Sequence, residues 1–314
     1  MLRFVLRRLA DAVLLVVVVS SLALALVGLA PADVLAGFEG DPAQAARERH
    51  RLGLDRPLTE QYVDWLGRAA RLDFGESLKF RRPVAGLVLD RAGNTVVLGV
   101  AALLIASVLG IPAGVIAASQ SGLLRNGVRA ASLLLLSMPP LVTAFALLLV
   151  AARTGWLPVG GLSTLAAGDG RDLGTFAHYL VVPALALALP LAAAVERLQS
   201  EAMLDALDEP CVHAARARGC SRRRAVWRHA FPLSLRSVVS IYGAIVGSAL
   251  SGSLAVEFVT SWPGLGALTF DAFVARDFHL AAGCATVGTA LLAAGVFASD
   301  VALAILDPRV TVAS

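Results

Sequence analysis

Six long apolar runs divide this chain, and they constrain its fold more than any other feature. Each approaches or exceeds the length of about 20 residues that a helix needs to cross a bilayer, and backbone polar groups in lipid must be paired within the segment. The mean hydropathy of +0.75 and the hydrophobic content of 57% also exceed what a soluble core requires. We therefore predict an all-α protein of the lipid bilayer with six transmembrane helices. The runs cover approximately Ala10–Leu29, Thr95–Ala118, Val128–Ala152, Tyr179–Val195, Val238–Val259 and Leu280–Leu306.

Arginine is concentrated in alternate connections between these runs. Arg125 and Arg129 follow the second run, an arginine-rich stretch at 209–232 follows the fourth, and Arg309 follows the sixth. Basic residues favour the cytoplasmic side of a membrane, so both termini are predicted to be cytoplasmic. The first run is longer than the apolar part of a signal peptide and is interpreted as a retained helix.

The long polar connection after the first run suggests a division of the chain into three parts. Residues 1–30 hold the N-terminus and the first helix, residues 31–93 form an extracytoplasmic segment, and residues 94–314 form the core with the other five helices. Between Thr59 and Leu72, apolar side chains recur at helical spacing. This pattern predicts an amphipathic helix that lies on the membrane or under a partner.

The arginine-rich stretch 209–232 has the signals of two short helices that meet at Gly219. Pro210 suits the first position of the first helix, and glycine suits its end. Ser221 is positioned to cap the second helix, and Pro232 is expected to interrupt it.

The first of these helices would carry small side chains on one face. Cys211, Ala214 and Ala215 are at i, i+3 and i+4, so a groove on another protein could accept this face closely. The alternative is a solvated basic loop that only fixes the topology.

The same stretch resembles the "EAA" loop of ABC-transporter permeases. Ala214, Ala215, Gly219 and Pro232 have the spacing of that motif, although His213 stands where the family has glutamate. Further segments are similar to the dipeptide, oligopeptide and nickel permeases. They are Leu52–Leu58, Gln61-Tyr62, Leu72–Ser77, Trp156–Pro158, Trp262–Gly266, Arg276-Asp277 and Asp307–Arg309.

The resemblance implies the type I importer permease fold and a position in the bacterial cytoplasmic (inner) membrane. It also implies four kinds of partner: a homologous second permease, two ATPase subunits, an extracytoplasmic substrate-binding protein and lipid. The loop would form a coupling helix in a groove of the ATPase, which would bind the ATP and Mg. The residues expected to carry this coupling are Val212, His213, Ala214, Ala215, Gly219 and Pro232.

The extracytoplasmic segment is longer than a connection between two spans requires. We expect it to contact the binding protein, with Tyr62, Trp65 and Leu66 as the contacting residues.

Several kinds of chemistry have no candidate residues in this sequence. It lacks the Gly-x-x-x-x-Gly-Lys-Ser/Thr loop that holds nucleotide phosphates, and it lacks the serine-hydrolase and zinc-protease motifs. Cys211, Cys220 and Cys284 lack the spacing of a zinc site, and a net charge of +4 does not indicate nucleic-acid binding. We expect a non-catalytic subunit without a cofactor of its own.

These observations predict a permease subunit of an ATP-driven importer, which forms half of the pathway for di- or oligopeptides. A nickel or nickel-chelate importer is the nearest alternative, because the same segments occur in that branch. An ATP-independent secondary carrier or channel is the alternative from another class. Carriers usually place ionisable groups near the middle of the membrane. Here Glu257 is expected near the outer end of the fifth run and Asp300 in the inner half of the sixth.

Overall fold

The computed structural model describes residues 2–28, 58–69, 71–161 and 172–306. Within these ranges the regular structure is helical, and the only β-type pairing is an isolated bridge between Glu76 and Pro83. The predicted all-α class is confirmed. The helices are α1 (Leu2–Gly28), α2 (Leu58–Ala69), α3 (Val84–Ser119), α4 (Leu123–Ser137), α5 (Pro140–Thr154), α6 (Leu173–Leu207), α7 (Pro210–Ala217), α8 (Arg222–Val259), α9 (Leu265–Val274) and α10 (Phe278–Leu306). The predicted segments Leu52–Leu58 and Asp307–Arg309 lie largely or wholly outside the described residues, as does the side chain of Gln61.

The long apolar helices match most of the predicted spans. In the described part of the chain, α3, α6, α8 and α10 are each long and apolar enough to cross a membrane. The pair α4 and α5 makes a fifth span if it is counted as one. The 27-residue helix α1 contains most of the first predicted run. The total of six spans stays a prediction.

The third predicted run is not one helix. It breaks between α4 and α5, whose axes differ by 104°. Met138 precedes Pro139 and is extended, as the residue before a proline prefers, and Pro139 is extended in turn before Pro140. Pro140 can then begin α5 because the first position of a helix needs no N–H donor. The run from Val128 to Ala152 is therefore a pair of helices with a sharp bend between them, and its crossing of the membrane as one span stays a prediction.

Two glycines bring α3 and α6 into close contact. A Cβ atom on Gly110 would lie 2.5 Å from the carbonyl oxygen of Ala192, and one on Gly114 would lie 2.6 Å from that of Glu196. Any larger residue would push the helices apart, since small residues permit such close approach in membranes. The pair α3 and α6 thus forms the centre of the bundle, and both helices end beside α7.

The predicted amphipathic helix is α2, and its apolar face packs on the chain itself. The hydroxyl groups of Tyr62 and Ser21 in α1 are 2.5 Å apart. Trp65 packs in a cluster with Phe74, with Val84 at the start of α3, and with residues of α9 and α10. We call this group the outer cluster. It consists of Trp65, Phe74, Val84, Val88, Leu265, Leu268, Ala272, Phe278, Leu280, Ala281, Ala282 and Cys284.

Candidate functional site

The first candidate site is α7, which begins and ends as the sequence indicates. Pro210 occupies the first turn, and the backbone amide of Val212 donates to the carbonyl oxygen of Glu209 at 3.0 Å. At the other end, the amides of Gly219 and Cys220 donate back to Arg216 and Ala215, at 3.0 and 3.1 Å. These two bonds form a Schellman motif, with Gly219 in the left-handed conformation at φ +87°. The predicted role of Gly219 as the end of this helix is confirmed.

One side of α7 is packed against the chain. Val212 is only 1% exposed, and it joins a cluster with the ends of α3 and α6 and the start of α8. Complete burial of a valine side chain contributes about 1.5 kcal/mol or more. The cluster consists of Val115, Met203, Ala206, Val212, Ala225, Val226 and Ala230, and we call it the inner cluster. It holds α7 against the two central helices.

The opposite side of α7 is exposed, and it differs from the predicted face. Cys211, His213 and Ala214 are exposed, with Arg218 beyond them. Ala215 is only 5% exposed, because it lies three residues after Val212 on the inward side. The predicted face of Cys211, Ala214 and Ala215 is therefore correct for two of its three residues, and Ala215 is the exception.

The second helix of the stretch is not short, and Pro232 does not end it. The segment Arg222–Arg224 continues through a π-helical turn, Ala225–Ala230, into the long helix Phe231–Val259. The amide of Phe231 donates to the carbonyl of Val226, five residues earlier. This wider turn accommodates a proline, which has no N–H and would crowd the preceding turn of a regular helix. The predicted interruption at Pro232 is wrong.

Ser221 stands at the N-cap position of α8, as predicted, but its side chain makes no capping hydrogen bond. The neighbouring Arg222 makes a contact that the sequence does not indicate. Its guanidinium donates to the backbone carbonyl of Ser119 at 2.6 Å. Ser119 is the last residue of α3, where carbonyl groups lack partners inside the helix and a positive charge is favourable. No local signal distinguishes Arg222 from the arginines that follow it.

The residues expected to contact a binding protein occupy two different environments. Trp65 is 2% exposed within the outer cluster, so it cannot touch a second protein without leaving that cluster. Tyr62 and Leu66 are partly buried against the same cluster. The exposed side of α2 instead carries Glu60 and Val63, and Val63 is 66% exposed.

A buried carboxylate joins three helices near the outer cluster. Glu257 of α8 is fully buried and accepts a hydrogen bond from Thr95 of α3 at 2.8 Å. It also accepts from the backbone amides of Gly266 and Ala267 at the start of α9, at 2.6 and 3.2 Å. A negative charge is favourable at a helix N-terminus. A Cβ on Gly264 would lie 2.3 Å from the carboxylate, so this glycine provides the space.

Three of the segments that carry the family resemblance, Leu72–Ser77, Trp262–Gly266 and Arg276-Asp277, lie at this end of the molecule. Ser77 donates to the buried carboxylate of Asp277 at 2.5 Å, which links Leu72–Ser77 to Arg276-Asp277. Trp262 donates from its indole nitrogen to the carbonyl of Asn94 at 3.2 Å. These contacts join residues far apart in the sequence into one outer layer.

The break between α4 and α5 opens a cavity of about 640 Å³ against α6 and α8. Its walls are mostly apolar or small, with Leu136 and Pro140 on one side. Pro190 and Leu191 of α6 line another side, and Ser251 of α8 adds a hydroxyl group. We call this space the central cavity.

Comparisons with known proteins match nearly the whole chain. Residues 110–312 match the family described as binding-protein-dependent transport system inner membrane component. Residues 1–99 match the N-terminal region described for the same type of membrane component.

Individual proteins are similar over their full length. The di/tripeptide transport system permease protein of Pseudomonas aeruginosa is 33% identical over 332 residues, covering 99% of each chain. The oligopeptide transport system permease protein of Mycobacterium tuberculosis is 34% identical over 330 residues, covering 99% of this chain and 100% of its own. The oligopeptide transport system permease protein of Bacillus subtilis is 30% identical over 316 residues, covering 98% of each chain.

Proposed function

Because this chain belongs to the family of binding-protein-dependent transport system inner membrane components, we propose that it is a permease subunit that supplies half of the translocation pathway of an ATP-driven peptide importer. The observation that carries this proposal is similarity to peptide permeases over 98% or more of this chain. These similar proteins are named for peptide transport, which favours di- or oligopeptides over nickel as the substrate.

The central cavity is the proposed wall of the pathway. Its volume of about 640 Å³ falls within the range of about 300–1,000 Å³ that is usual for small-molecule sites. It lies where α4 and α5 meet at a sharp angle, beside Pro190 of α6 and the small residues of α8. A second permease that faced this cavity would complete the pathway.

The exposed side of α7 is the proposed contact with the ATPase. Val212 fixes the inner side of α7 to the ends of α3 and α6, and Arg222 fixes the start of α8 to the end of α3. A displacement of α7 would therefore move α3 and α6 together with it. Closure of the ATPases would then tilt the bundle between outward-open and inward-open states.

An importer of this kind needs subunits in addition to this chain. We propose a homologous second permease, two ATPase subunits that hold the ATP and Mg, and an extracytoplasmic binding protein. This chain would catalyse no bond chemistry. Among the described residues of the 31–93 segment, we propose the exposed face of α2, with Glu60 and Val63, as the contact with the binding protein.

Reconstitution of the complete complex in proteoliposomes tests the function. ATP added on the ATPase side should drive uptake of labelled trialanine, and a hydrolysis-deficient ATPase should abolish it. Uptake of trialanine at the same rate without ATP would indicate a carrier instead. Uptake of nickel chelates without uptake of peptides would show that nickel chelates, and not peptides, are the substrate.

The orientation is tested with a native thiol. We propose that α7 is cytoplasmic at the bacterial inner membrane, together with both termini. Cys211 is exposed on α7, whereas Cys284 is buried. In a Cys220→Ser, Cys284→Ser background without the ATPase, an impermeant maleimide should label Cys211 only when it is added from the cytoplasmic side. Labelling from the outer side would overturn this orientation.

A further inference from the structure

A second cavity lies between α4 and α6, next to the central cavity. Its volume is about 200 Å³, and Leu136 belongs to the walls of both cavities. The central cavity borders α6 at 187–194, and the second borders it at 193–204, towards the end that leads into α7. The two cavities therefore follow one another along α6.

The second cavity differs from the first because it is lined by charged groups of both signs. Arg197 and Glu201 of α6 form an ion pair at 3.2 Å, and both are more than 60% exposed. Their charges largely compensate each other. Glu196 of α6 and Arg129 of α4 remain, and they contribute one negative and one positive group to the same space.

Glu196 is the unusual member of this set. Its residue is only 4% exposed, yet it lines the cavity, and it makes no hydrogen bond or ion pair with the residues that the structure describes. A carboxylate that has no counter-charge beside it attracts a cation, so a cationic group that enters the cavity would be stabilised next to Glu196. Ser200 lies one turn further along α6, is 6% exposed and offers a neutral hydroxyl beside it.

We propose that this second cavity is a binding subsite for the ammonium group of a peptide in transit, with Glu196 as the residue that receives it. The inference rests on the proposed function and adds a specific site to it. A peptide carries an ammonium group at its N-terminus at neutral pH. It also carries a negative carboxylate at its C-terminus, and the positive charge of Arg129 lies in the same cavity. We assign the ammonium end of the peptide to this cavity, and not its carboxylate end, because the anionic Glu196 is largely enclosed by the chain, whereas the cationic Arg129 is exposed to solvent.

The size of the cavity limits what it holds. A volume of about 200 Å³ is below the range of about 300–1,000 Å³ that encloses a whole small ligand. The subsite would therefore hold one end or one side chain of a peptide, while the rest remains in the central cavity. A lysine side chain also carries an ammonium group, so the test must separate the two sources.

The test measures equilibrium binding to the complete complex in nanodiscs, without ATP and without the binding protein. Labelled trialanine is compared in the wild type and in Glu196→Gln, which keeps the shape of the side chain and removes its charge. Asp205→Asn is the matched control, because Asp205 is an exposed carboxylate further along α6 and does not line the cavity. We expect the dissociation constant to rise at least tenfold in Glu196→Gln and less than twofold in Asp205→Asn.

Two further peptides identify the source of the charge. N-acetyl-trialanine has no ammonium group, and its affinity should be the same in the wild type and Glu196→Gln. N-acetyl-Lys-Ala-Ala has only a side-chain ammonium, and its sensitivity to Glu196→Gln would assign the subsite to lysine. The proposal is overturned if wild-type complex binds none of these peptides, or if Glu196→Gln weakens the acetylated trialanine equally. Binding that depends on Glu196, without ATP-driven uptake, would support the subsite and contradict the importer.

Discussion

The guanidinium of Arg222 donates to the backbone carbonyl of Ser119 at 2.6 Å, across 103 residues of sequence. This bond joins the first residue of α8 to the last residue of α3, directly beside α7. It therefore fixes the predicted coupling helix to the bundle from one side, while Val212 fixes it from the other.

Arg222→Ala should weaken this attachment. Loss of this partly buried hydrogen bond from a charged group should cost about 1.5 kcal/mol or more of folding stability. Transport should fall more than stability does, because motion of α7 would reach α3 less directly. Arg223→Ala is the control, since Arg223 is exposed and makes no hydrogen bond or ion pair within the described residues. Equal transport by both variants in proteoliposomes would show that Arg222 does not contribute to coupling.

Glu257 should be a structural residue of the outer layer. Glu257→Gln leaves an amide N–H₂ group among the donors that now face a carboxylate, at a cost of about 2–3 kcal/mol. The apparent melting temperature of the purified protein should fall clearly. Glu201→Gln, on the exposed surface of α6, should leave it within about a degree, since surface changes usually stay within about 0.5 kcal/mol. An unchanged melting temperature in Glu257→Gln would show that the carboxylate does not hold α9.

Trp65→Ala should lower the folding stability of the chain and should not directly remove a contact with the binding protein. Removal of a buried tryptophan typically costs about 3–5 kcal/mol, and Trp65 is 2% exposed. Val63→Ala, two residues away on the exposed face, should leave stability within about 0.5 kcal/mol. Both are measured by thermal unfolding of the purified chain in detergent. If Trp65→Ala unfolds like the wild type but loses stimulation by the binding protein, then Trp65 contacts that partner directly.

The effect of a substitution at Gly219 should depend only on how readily the new residue adopts the left-handed backbone conformation. No atom lies within 4 Å of an added Cβ, so the cost of a side chain arises from its φ of +87°. Gly219→Val should lose about 1–2 kcal/mol and much of the transport activity. Gly219→Asn should keep most of both, because asparagine enters the left-handed region more readily. Equal transport by the valine and asparagine variants would mean that the Schellman turn is not needed for coupling.

The sequence predicts the features of this fold that depend on local pattern. Hydropathy locates α3, α6, α8 and α10, and the glycine at 219 locates the end of α7. The sequence does not predict how sharply the chain bends between α4 and α5, nor that α8 continues through Pro232. Both depend on how neighbouring turns adapt to a proline, which composition does not reveal.

The contacts that define the candidate site depend on distant residues. Glu257 meets Thr95 across 162 residues, and Arg222 meets Ser119 across 103. The burial of Ala215 also depends on distant residues, because it is decided by which side of α7 faces the ends of α3 and α6. Such placements require the packing of the helices, and no spacing rule within one segment supplies them.

We propose that the exposed side of α7 binds the ATPase, and a substitution at Ala214 is suited to test this contact. Ala214 is exposed, whereas Ala215→Glu would disturb the packing of the chain itself. Ala214→Glu places a bulky charge in the proposed interface, at a cost of a few kcal/mol, or about a hundredfold in affinity. His213→Glu is the matched control, since it adds the same side chain at the neighbouring exposed position, where the resembling family carries glutamate.

The decisive measurement is co-purification of the ATPase with each variant, combined with ATP-driven uptake of trialanine. We expect Ala214→Glu to insert and fold normally, to lose the ATPase and to transport at less than a tenth of the wild-type rate. His213→Glu should retain both the ATPase and transport. Full retention of the ATPase with normal uptake in Ala214→Glu would contradict the coupling role of α7.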